Sequence, residues 1–411
     1  MGNYLHTLSE QVQYFTSKQL WLEGEAILQL EKTAKLPGIK KAIGLPDLHP
    51  SRGYPIGAAF FSQSIIYPAL VGNDIGCGMA LFKTDAKVKK CRLDKLNKRL
   101  GNIDGPLTNA EWVEIENNQQ DLMLQVKNLQ QELENFSIEF SKNLQRNDGN
   151  ELWTQWCKSL GTIGGGNHFV EIQAVDEINK DSNDLKQNLL LMVHSGSRGL
   201  GEMILKSHVL KWSHNGLDSL QLEQQVAWLN YWLGHDLALK YAKLNRRLIA
   251  ARIANRLAWH CEVLLDQFHN FIEPISSSLG SGFLHRKGAS ASNAGAIVIP
   301  GSRGDYSYWV QPSPNNGEEN LWSLPHGAGR KWARHNCKGN LSKNYQLKDL
   351  LETQFKSLVI CNDRELVYEE AAQAYKNIDS VVELIKEAGL IDVIARLKPV
   401  LSYKTRGGCC E

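Results

Sequence analysis

Long apolar runs are missing from this sequence: nowhere in its 411 residues do 18 apolar positions follow one another, so no membrane span is expected. Cysteine is scarce. The eight residues stand at 77, 91, 157, 261, 337, 361, 409 and 410, with no Cys-x-x-Cys, which excludes a disulfide scaffold. No secretory apolar stretch opens the chain. Met1-Gly2-Asn3-Tyr4-Leu5-His6 lacks the Ser or Thr that myristoylation wants at position 6. A one-signed charge is also absent: 46 Lys+Arg against 44 Asp+Glu leaves +2. A nucleic-acid contact must therefore come from a local patch. With 34 Gly and 12 Pro, collagen-like and low-complexity architectures fall away. What is present is globular composition, 42% hydrophobic and 22% charged. A cytoplasmic protein with reduced thiols and no membrane partner is expected.

Three stretches carry helical periodicity. Leu122, Val126, Leu129, Leu133, Phe136 and Phe140 recur three and four apart. Residues 219–268 form the longest helical block, with a break expected near Gly234, and 364–396 form the third, with a turn at Gly389. Elsewhere short apolar runs end in glycine-rich loops bearing histidine. Leu189 to Val193 runs into His194-Ser195-Gly196-Ser197-Arg198-Gly199, and Ala296 to Ile299 into Pro300-Gly301-Ser302-Arg303-Gly304. Each reads as a buried strand delivering a functional loop. These loops spread from residue 46 to 404 without a linker, so the fold class is α+β in one large domain, 1–411. Helical blocks lie outside a single cleft, and a polar helical insertion or arm covers about 84–150.

The loops carry chemistry in combination. Asp74 and Cys77 lie three apart in Gly72-Asn73-Asp74-Ile75-Gly76-Cys77-Gly78-Met79, read either as a tight turn with a buried thiol or as a pair of metal ligands. Gly164-Gly165-Gly166-Asn167-His168 is either a flexible turn or a backbone cradle for phosphate; it is not a P-loop, because no Gly-Lys-Ser/Thr occurs. Arg198 after His194, and Arg330 after His326-Gly327-Ala328-Gly329, suit phosphate clamps. At least five of the twelve histidines sit in such loops beside Arg, Asp or Cys. A di-metal phosphoryl-transfer site needs that set.

Together these pieces resemble the RtcB family of RNA ligases. The matching motifs run in order: Leu45-Pro46-Asp47-Leu48-His49, Gly72 to Met79, Gly166 to Glu171, His194 to Gly199, His285-Arg286-Lys287-Gly288-Ala289, Pro300-Gly301-Ser302, His326 to Arg330, and Arg396-Leu397-Lys398-Pro399. They span about 40 to 404, leaving only 84–150 unmatched.

The resemblance implies GTP and two Mn²⁺ as cofactors. Cys77 bridges the metals, His168 and His194 complete one site, and Asp74 and His269 the other. His326 is the histidine that takes GMP, with Arg198 and Arg330 toward phosphates. GTP contacts fall on Asn167, His168, Phe169, Val170, Glu171, His269, Asn270, Pro300, Gly301, Ser302, Arg303, Ser307, His326, Gly327, Ala328, Gly329 and Lys404. The implied substrate is RNA with a 3′-phosphate, or 2′,3′-cyclic phosphate, and a 5′-hydroxyl, joined in repair or tRNA splicing.

Three positions depart from the family pattern. Pro325 replaces a usual Cys, Arg303 a usual Met, and Lys404 is followed by Thr-Arg-Gly-Gly-Cys-Cys-Glu. They resemble a branch encoded beside a peptide-release-factor homologue and associated with ribosomal RNA repair. Independently of the resemblance, no Lys-x-Asp/Asn-Gly motif exists to serve as a lysine nucleophile, and an imidazole is competent on phosphorus. Thiolate and imidazole ligands bind Zn²⁺ more tightly than Mn²⁺. The rival readings are a metal-dependent phosphodiesterase or nuclease, and an inactive RNA-binding scaffold.

Overall fold

The computed structural model describes residues 4–179 and 183–407. Met1–Asn3 and the Cys409–Cys410 tail lie outside the described residues. Two sheets dominate an α+β fold in one domain. The first runs, in spatial order, through Leu5–Thr7, Val12–Phe15, Ile39–His49, Ile56–Ser62, Gly280–Lys287 and Asn270–Ser277. The second runs through Cys261–Phe268, Gly78–Lys87, Asn188–Ser195, Phe169–Ile178, Ile391–Thr405, Ser307–Pro312 and Ile297–Pro300, with Leu358–Cys361 parallel to Ile391–Thr405.

Strand Asn188–Ser195 shows why the second sheet forms. All eight of its residues are buried, because both faces are covered. Leu189, Leu191 and Val193 pack with Ile249 and Ile253 of a long helix. Leu190 and Met192, on the other face, pack with Val298 and Leu397. That is the period-2 alternation of a strand between two apolar layers. A further apolar cluster draws Ile43 and Leu284 from the first sheet and Ile299 and Val310 from the second, fusing the two.

The expected amphipathic helix is Gln120–Asn143, with Leu122, Val126, Leu129, Leu133 and Phe140 buried. Two helical boundaries differ from expectation. Residues 219–268 do not form a helix broken at Gly234: one continuous helix, Gln225–Leu257, is followed by strand Cys261–Phe268. Gly234 serves packing instead, since a Cβ there would meet Phe136 at 3.1 Å and Ile204 at 3.3 Å. In the third block, helices Arg364–Glu369 and Ile378–Glu387 give way after the Gly389 turn to strand Ile391–Thr405, so 391–396 is extended. Helices Leu93–Leu100, Asn109–Asn118 and Gln120–Asn143, within the 84–150 stretch, pack on the long helix. Thr108 and Glu111 form a capping box. Glu111 also accepts from Arg252 at 2.8 Å and Arg256 at 2.7 Å, pinning its helix to the long one.

Candidate functional site

Four adjacent strands of the second sheet end together, and their ends converge five side chains. Gly78 faces Ser195 on one side and Phe268 on the other. Cys77 therefore lies between His194 and His269, and His269 N–H donates to the Cys77 carbonyl at 2.9 Å. His168 sits one residue ahead of strand Phe169–Ile178, whose Phe169 pairs with His194. Asp74 reaches in from the loop before Cys77.

Cys77 Sγ stands 3.4 Å from His168 Nε2 and 3.2 Å from His194 Nε2. His194 Nε2 and His269 Nε2 are 3.4 Å apart, and His168 Nε2 lies 2.8 Å from Asp74 Oδ2. Two overlapping donor triads result: Cys77, His194 and His269; and Asp74, Cys77 and His168. Cys77 belongs to both triads; His168 is grouped with Asp74 and His194 with His269, where the resemblance implied His168 with His194 and Asp74 with His269. Strand order explains this. His194 and His269 flank the Gly78–Lys87 strand, while Asp74 and His168 belong to loops above it. One thiolate, three imidazoles and one carboxylate, with the thiol common to both triads, suit divalent-cation binding.

The electrostatics agree. Burial drives the His194 and His269 pKa values well below the ordinary imidazole range, with neighbouring His168 and His326 acting on His194 and His326 on His269; both rings are thus neutral donors. Burial also raises the Cys77 thiol, and Asp74 raises it further, so a bound cation must displace its proton. Burial alone would raise Asp74, but His168 outweighs it and holds the carboxyl down at about 2.

The long helix fixes this geometry from beneath. Arg246 Nη1 donates to Gly76 O and Ser195 O, both at 2.9 Å, and its Nε and Nη2 grip Asp266 at 2.8 and 2.6 Å. Asn245 Nδ2 donates to Thr162 O at 3.1 Å and Ser195 Oγ at 3.0 Å, while its Oδ1 accepts from Gly161 N at 2.7 Å. Gly196 must be glycine, because a Cβ would fall 2.0 Å from Asp74 Oδ1.

His326 lies beside this cluster, its ring centroid 4.8 Å from that of His269. Asp47, fully buried, accepts from His326 Nδ1 at 2.6 Å and from its backbone N–H at 3.1 Å. That leaves Nε2 as the free ring nitrogen. Lys376 donates to Pro46 O at 2.9 Å and Leu48 O at 2.8 Å, so both neighbours of Asp47 are tied. Its backbone N–H bonds Gly329 O, joining the two loops. At Gly329 φ is +73°, and a Cβ would meet Asp47 O at 2.3 Å.

Residues 29–405 match the family described as tRNA-splicing ligase RtcB. The chain is 46% identical to an Escherichia coli protein, RNA-splicing ligase RtcB2, with 99% of each chain covered. The chain belongs to the RtcB family. Its likeness to the tRNA-splicing ligase RtcB of Thermococcus kodakarensis is 29% over 90% of this chain and 89% of that one. To RNA-splicing ligase RtcB of another Escherichia coli strain it is 28%, over 94% and 96%. As an RtcB-family member it is an RNA ligase.

In this RtcB-family chain a cavity of about 160 Å³ opens beside His326. Asn167, Phe169, Glu171, Pro300, Gly301, Ser302, Arg303, Gly327, Ala328, Gly329 and Lys404 line it. His168, Val170, His269, Asn270 and Ser307 do not. Val170 is buried in the apolar layer. Asn270 ties loops, donating to Asp74 O at 3.2 Å and accepting from Gly288 N at 2.7 Å. Ser307 is buried, with Gln173 Nε2 3.5 Å away. Burial raises the Glu171 carboxyl to about 7 against hydrogen bonds from Ser402 and Gln173.

The two phosphate-clamp arginines differ. Arg198 makes one protein hydrogen bond, Nε to Thr162 Oγ1 at 3.2 Å. Arg330 is committed: it donates to Trp332 O at 3.0 Å, Glu369 O at 2.7 Å and Tyr375 Oη at 2.9 Å, and pairs with Glu370 at 3.3 Å. Glu370, with Arg334 at 2.7 Å and Lys404 at 3.4 Å, forms the hub of a buried ionic cluster. Burial would raise its carboxyl, yet Lys404, Arg334 and Arg330 hold it at about 2. The sequence reading assigned no role to Asp47, His49, Glu370 or Lys376. Asp47 and His49 stand in the Leu-Pro-Asp-Leu-His motif, a signal within reach; Glu370 and Lys376 carried none. Among the described residues no helix is long and apolar enough to cross a membrane.

Proposed function

We propose that this ligase joins an RNA 3′-phosphate to a 5′-hydroxyl with GTP, through GMP carried on His326 and an RNA 3′-pp-5′-G end. The observation that carries the reading is the Asp47–His326 pair set against the Cys77-centred cluster. A metal-dependent phosphodiesterase would need the cluster but not an oriented imidazole beside it.

The five donors Asp74, Cys77, His168, His194 and His269 suit two Mn²⁺, which when bound would neutralise phosphate charge and polarise phosphoryl oxygens. Asp47 holds the His326 Nδ1 proton, so Nε2 presents its lone pair to the α-phosphorus of GTP. The new N–P bond forms as the P–O bond to pyrophosphate breaks, and Asp47 offsets the charge that develops on the ring. Displacement of His326 by an RNA 3′-phosphate oxygen gives the 3′-pp-5′-G end and returns the imidazole. Attack by a 5′-hydroxyl then expels GMP; a 2′,3′-cyclic phosphate is first hydrolysed. Arg198, whose other N–H groups have no partner among the described residues, meets phosphate. Glu171 accepts from the guanine N–H edge, and Lys404 closes the same cavity. Arg330, which lines the cavity together with its partner Glu370, faces phosphate from there. The cytoplasm, with its reduced thiols, suits an intact Cys77. The three departures at 303, 325 and beyond 404 support a link to a peptide-release-factor homologue.

The test uses α-labelled GTP, Mn²⁺ and denaturing electrophoresis. The wild type is expected to carry label. His326→Ala is expected to carry none, to keep its metals, and still to seal RNA supplied with a 3′-pp-5′-G end. Labelled His326→Ala would move the nucleophile elsewhere; an unlabelled wild type would favour the phosphodiesterase.

A further inference from the structure

A second opening touches the metal residues, and the chemistry above leaves it without a role. It is a groove of about 1680 Å³, well beyond the roughly 300–1,000 Å³ of small-molecule pockets. Its inner end is formed by Asp74, Asn167 and His168; Asn167 also borders the His326 cavity. From there it runs outward past Arg198 between helices Asn109–Asn118 and Gly149–Ser159. Helix Asn109–Asn118, with Trp112, belongs to the stretch that the family motifs leave unmatched.

We propose that this groove holds the single-stranded RNA leading to the reacting end, with Trp112 and Trp153 as stacking surfaces for bases and Lys158 as a contact to the backbone. The inference rests on the ligase reading above, and it names where the polymer lies. Both indoles are partly buried against the helical core on one side and line the groove on the other. Trp153 Nε1 donates to Gln130 O at 3.2 Å, which fixes the ring plane before any ligand arrives. Preset aromatic faces accept any base, because each base has a π-face.

Amides and hydroxyls, Asn109, Asn150, Thr154 and Gln155, share the walls with Pro106, Leu107 and Cys157. Four acids line the groove, Asp74, Asp104, Glu151 and Glu202. Asp104 accepts from Tyr403 Oη at 2.8 Å and Thr405 Oγ1 at 2.9 Å, and Glu202 pairs with Lys206 at 2.7 Å. Asp74 belongs to the metal cluster, and Glu151 stands exposed on the helix. Lys158, exposed, and Arg198 are the cations that remain. Geometry also demands such a path. The His326 cavity is small and takes the nucleotide, so the polymer behind a reacting 3′-end must leave by another opening at the same metal residues.

The experiment measures binding of a fluorescent single-stranded RNA of about ten nucleotides, with 3′-phosphate and 5′-hydroxyl ends, by anisotropy in Mn²⁺ without GTP. Trp153→Ala is expected to weaken binding about tenfold, the scale of one lost base stack, and Trp153→Phe to restore most of it. Lys158→Glu, at an exposed position that tolerates change, is expected to weaken binding and flatten its salt dependence. Protein–GMP formation on the same preparations, which involves no RNA, reports whether each variant is folded. Wild-type affinity for the longer RNA in both Trp153→Ala and Lys158→Glu would overturn the groove assignment while leaving the ligase reading intact. A wild type that neither takes GMP nor binds RNA would overturn the ligase reading itself. Recovery of affinity by a protein ligand instead, with RNA unaffected by either variant, would likewise reassign the groove to a protein partner.

Discussion

The metal cluster and the His326 loop are neighbours built on opposite principles. Cys77, His168, His194 and His269 are placed by strand register, each at or beside the end of one of four hydrogen-bonded strands. Among the described residues the His194 and His269 rings have no carboxylate partner, and only His168 meets one, Asp74: the sheet, with Arg246 beneath it, sets the rest. His326 follows the short strand Ser323–Pro325, which among the described residues pairs only with Ala289–Ala291, and a single carboxylate from the other sheet sets its ring. The difference separates two failures. Damage to the sheet end should cost metal; damage around Asp47 should cost reactivity with metal retained.

The largest effect expected is on the sheet side. Cys77→Ser removes the one donor shared by both triads, so metal content should fall for both sites and ligation should vanish. None of the other seven cysteine substitutions should change metal content. Equal metal in Cys77→Ser and wild type would break the comparison at its first half. Next is Asp47→Asn, which keeps the shape but loses the charge that orients and stabilises the imidazole. Protein–GMP formation should slow about 100-fold, within the range of positioned acid–base partners, at unchanged metal content. Metal loss in this variant would erase the distinction between the regions.

Glu370 gives a third, pH-resolved contrast. Its folded carboxyl, at about 2, lies below its ordinary value near 4.5. The stability it contributes is therefore complete above about pH 4.5 and is lost as pH falls from there toward 2. Glu370→Gln should be destabilised by about 3 kcal/mol at pH 7, because buried Lys404, partly buried Arg330 and half-exposed Arg334 lose their common partner. The gap from wild type should close in urea unfolding as pH drops through that window. A gap independent of pH would mean that packing, not charge, is what the residue supplies. The smallest effect is expected from Lys376→Met, which frees the carbonyls on both sides of Asp47. Protein–GMP formation should slow about tenfold, the cost of roughly one charged hydrogen bond, with metal content and Tm for the sheet side little changed.

The sequence made the sheet side legible and the His326 side only half so. Histidines in glycine-rich loops at the ends of apolar runs, such as Leu189 to Val193, announce strand ends, and register does the rest. Asp47 is 279 residues from its partner in the chain, and no local pattern links them. Glu370 likewise meets Arg330, Arg334 and Lys404 only in the folded molecule. The two misread boundaries share one cause. Cys261–Phe268 and the start of Ile391–Thr405 are leucine-, valine- and isoleucine-bearing strands of mixed burial that directly follow helices, so their texture continues the helical one. Gly234 misled for another reason: glycine marks close contact as readily as it marks a break.

Strand Ile391–Thr405 has a consequence for how the protein is made. It is the last of the described strands in the chain, yet it lies inside its sheet, against Phe169–Ile178 on one side and Ser307–Pro312 and Leu358–Cys361 on the other. Near its end, Lys404 donates to Gly166 O at 3.2 Å and His168 O at 3.1 Å, fastening the loop that carries a metal-facing histidine. On the ribosome, every other strand of that sheet emerges first and waits with an open edge. The nascent chain therefore holds most of its histidines and thiols early but cannot close the loop around His168 until residue 404 has cleared the exit. Closure of that loop waits on the last described strand, and a chain halted before residue 404 leaves strand edges exposed rather than a finished site.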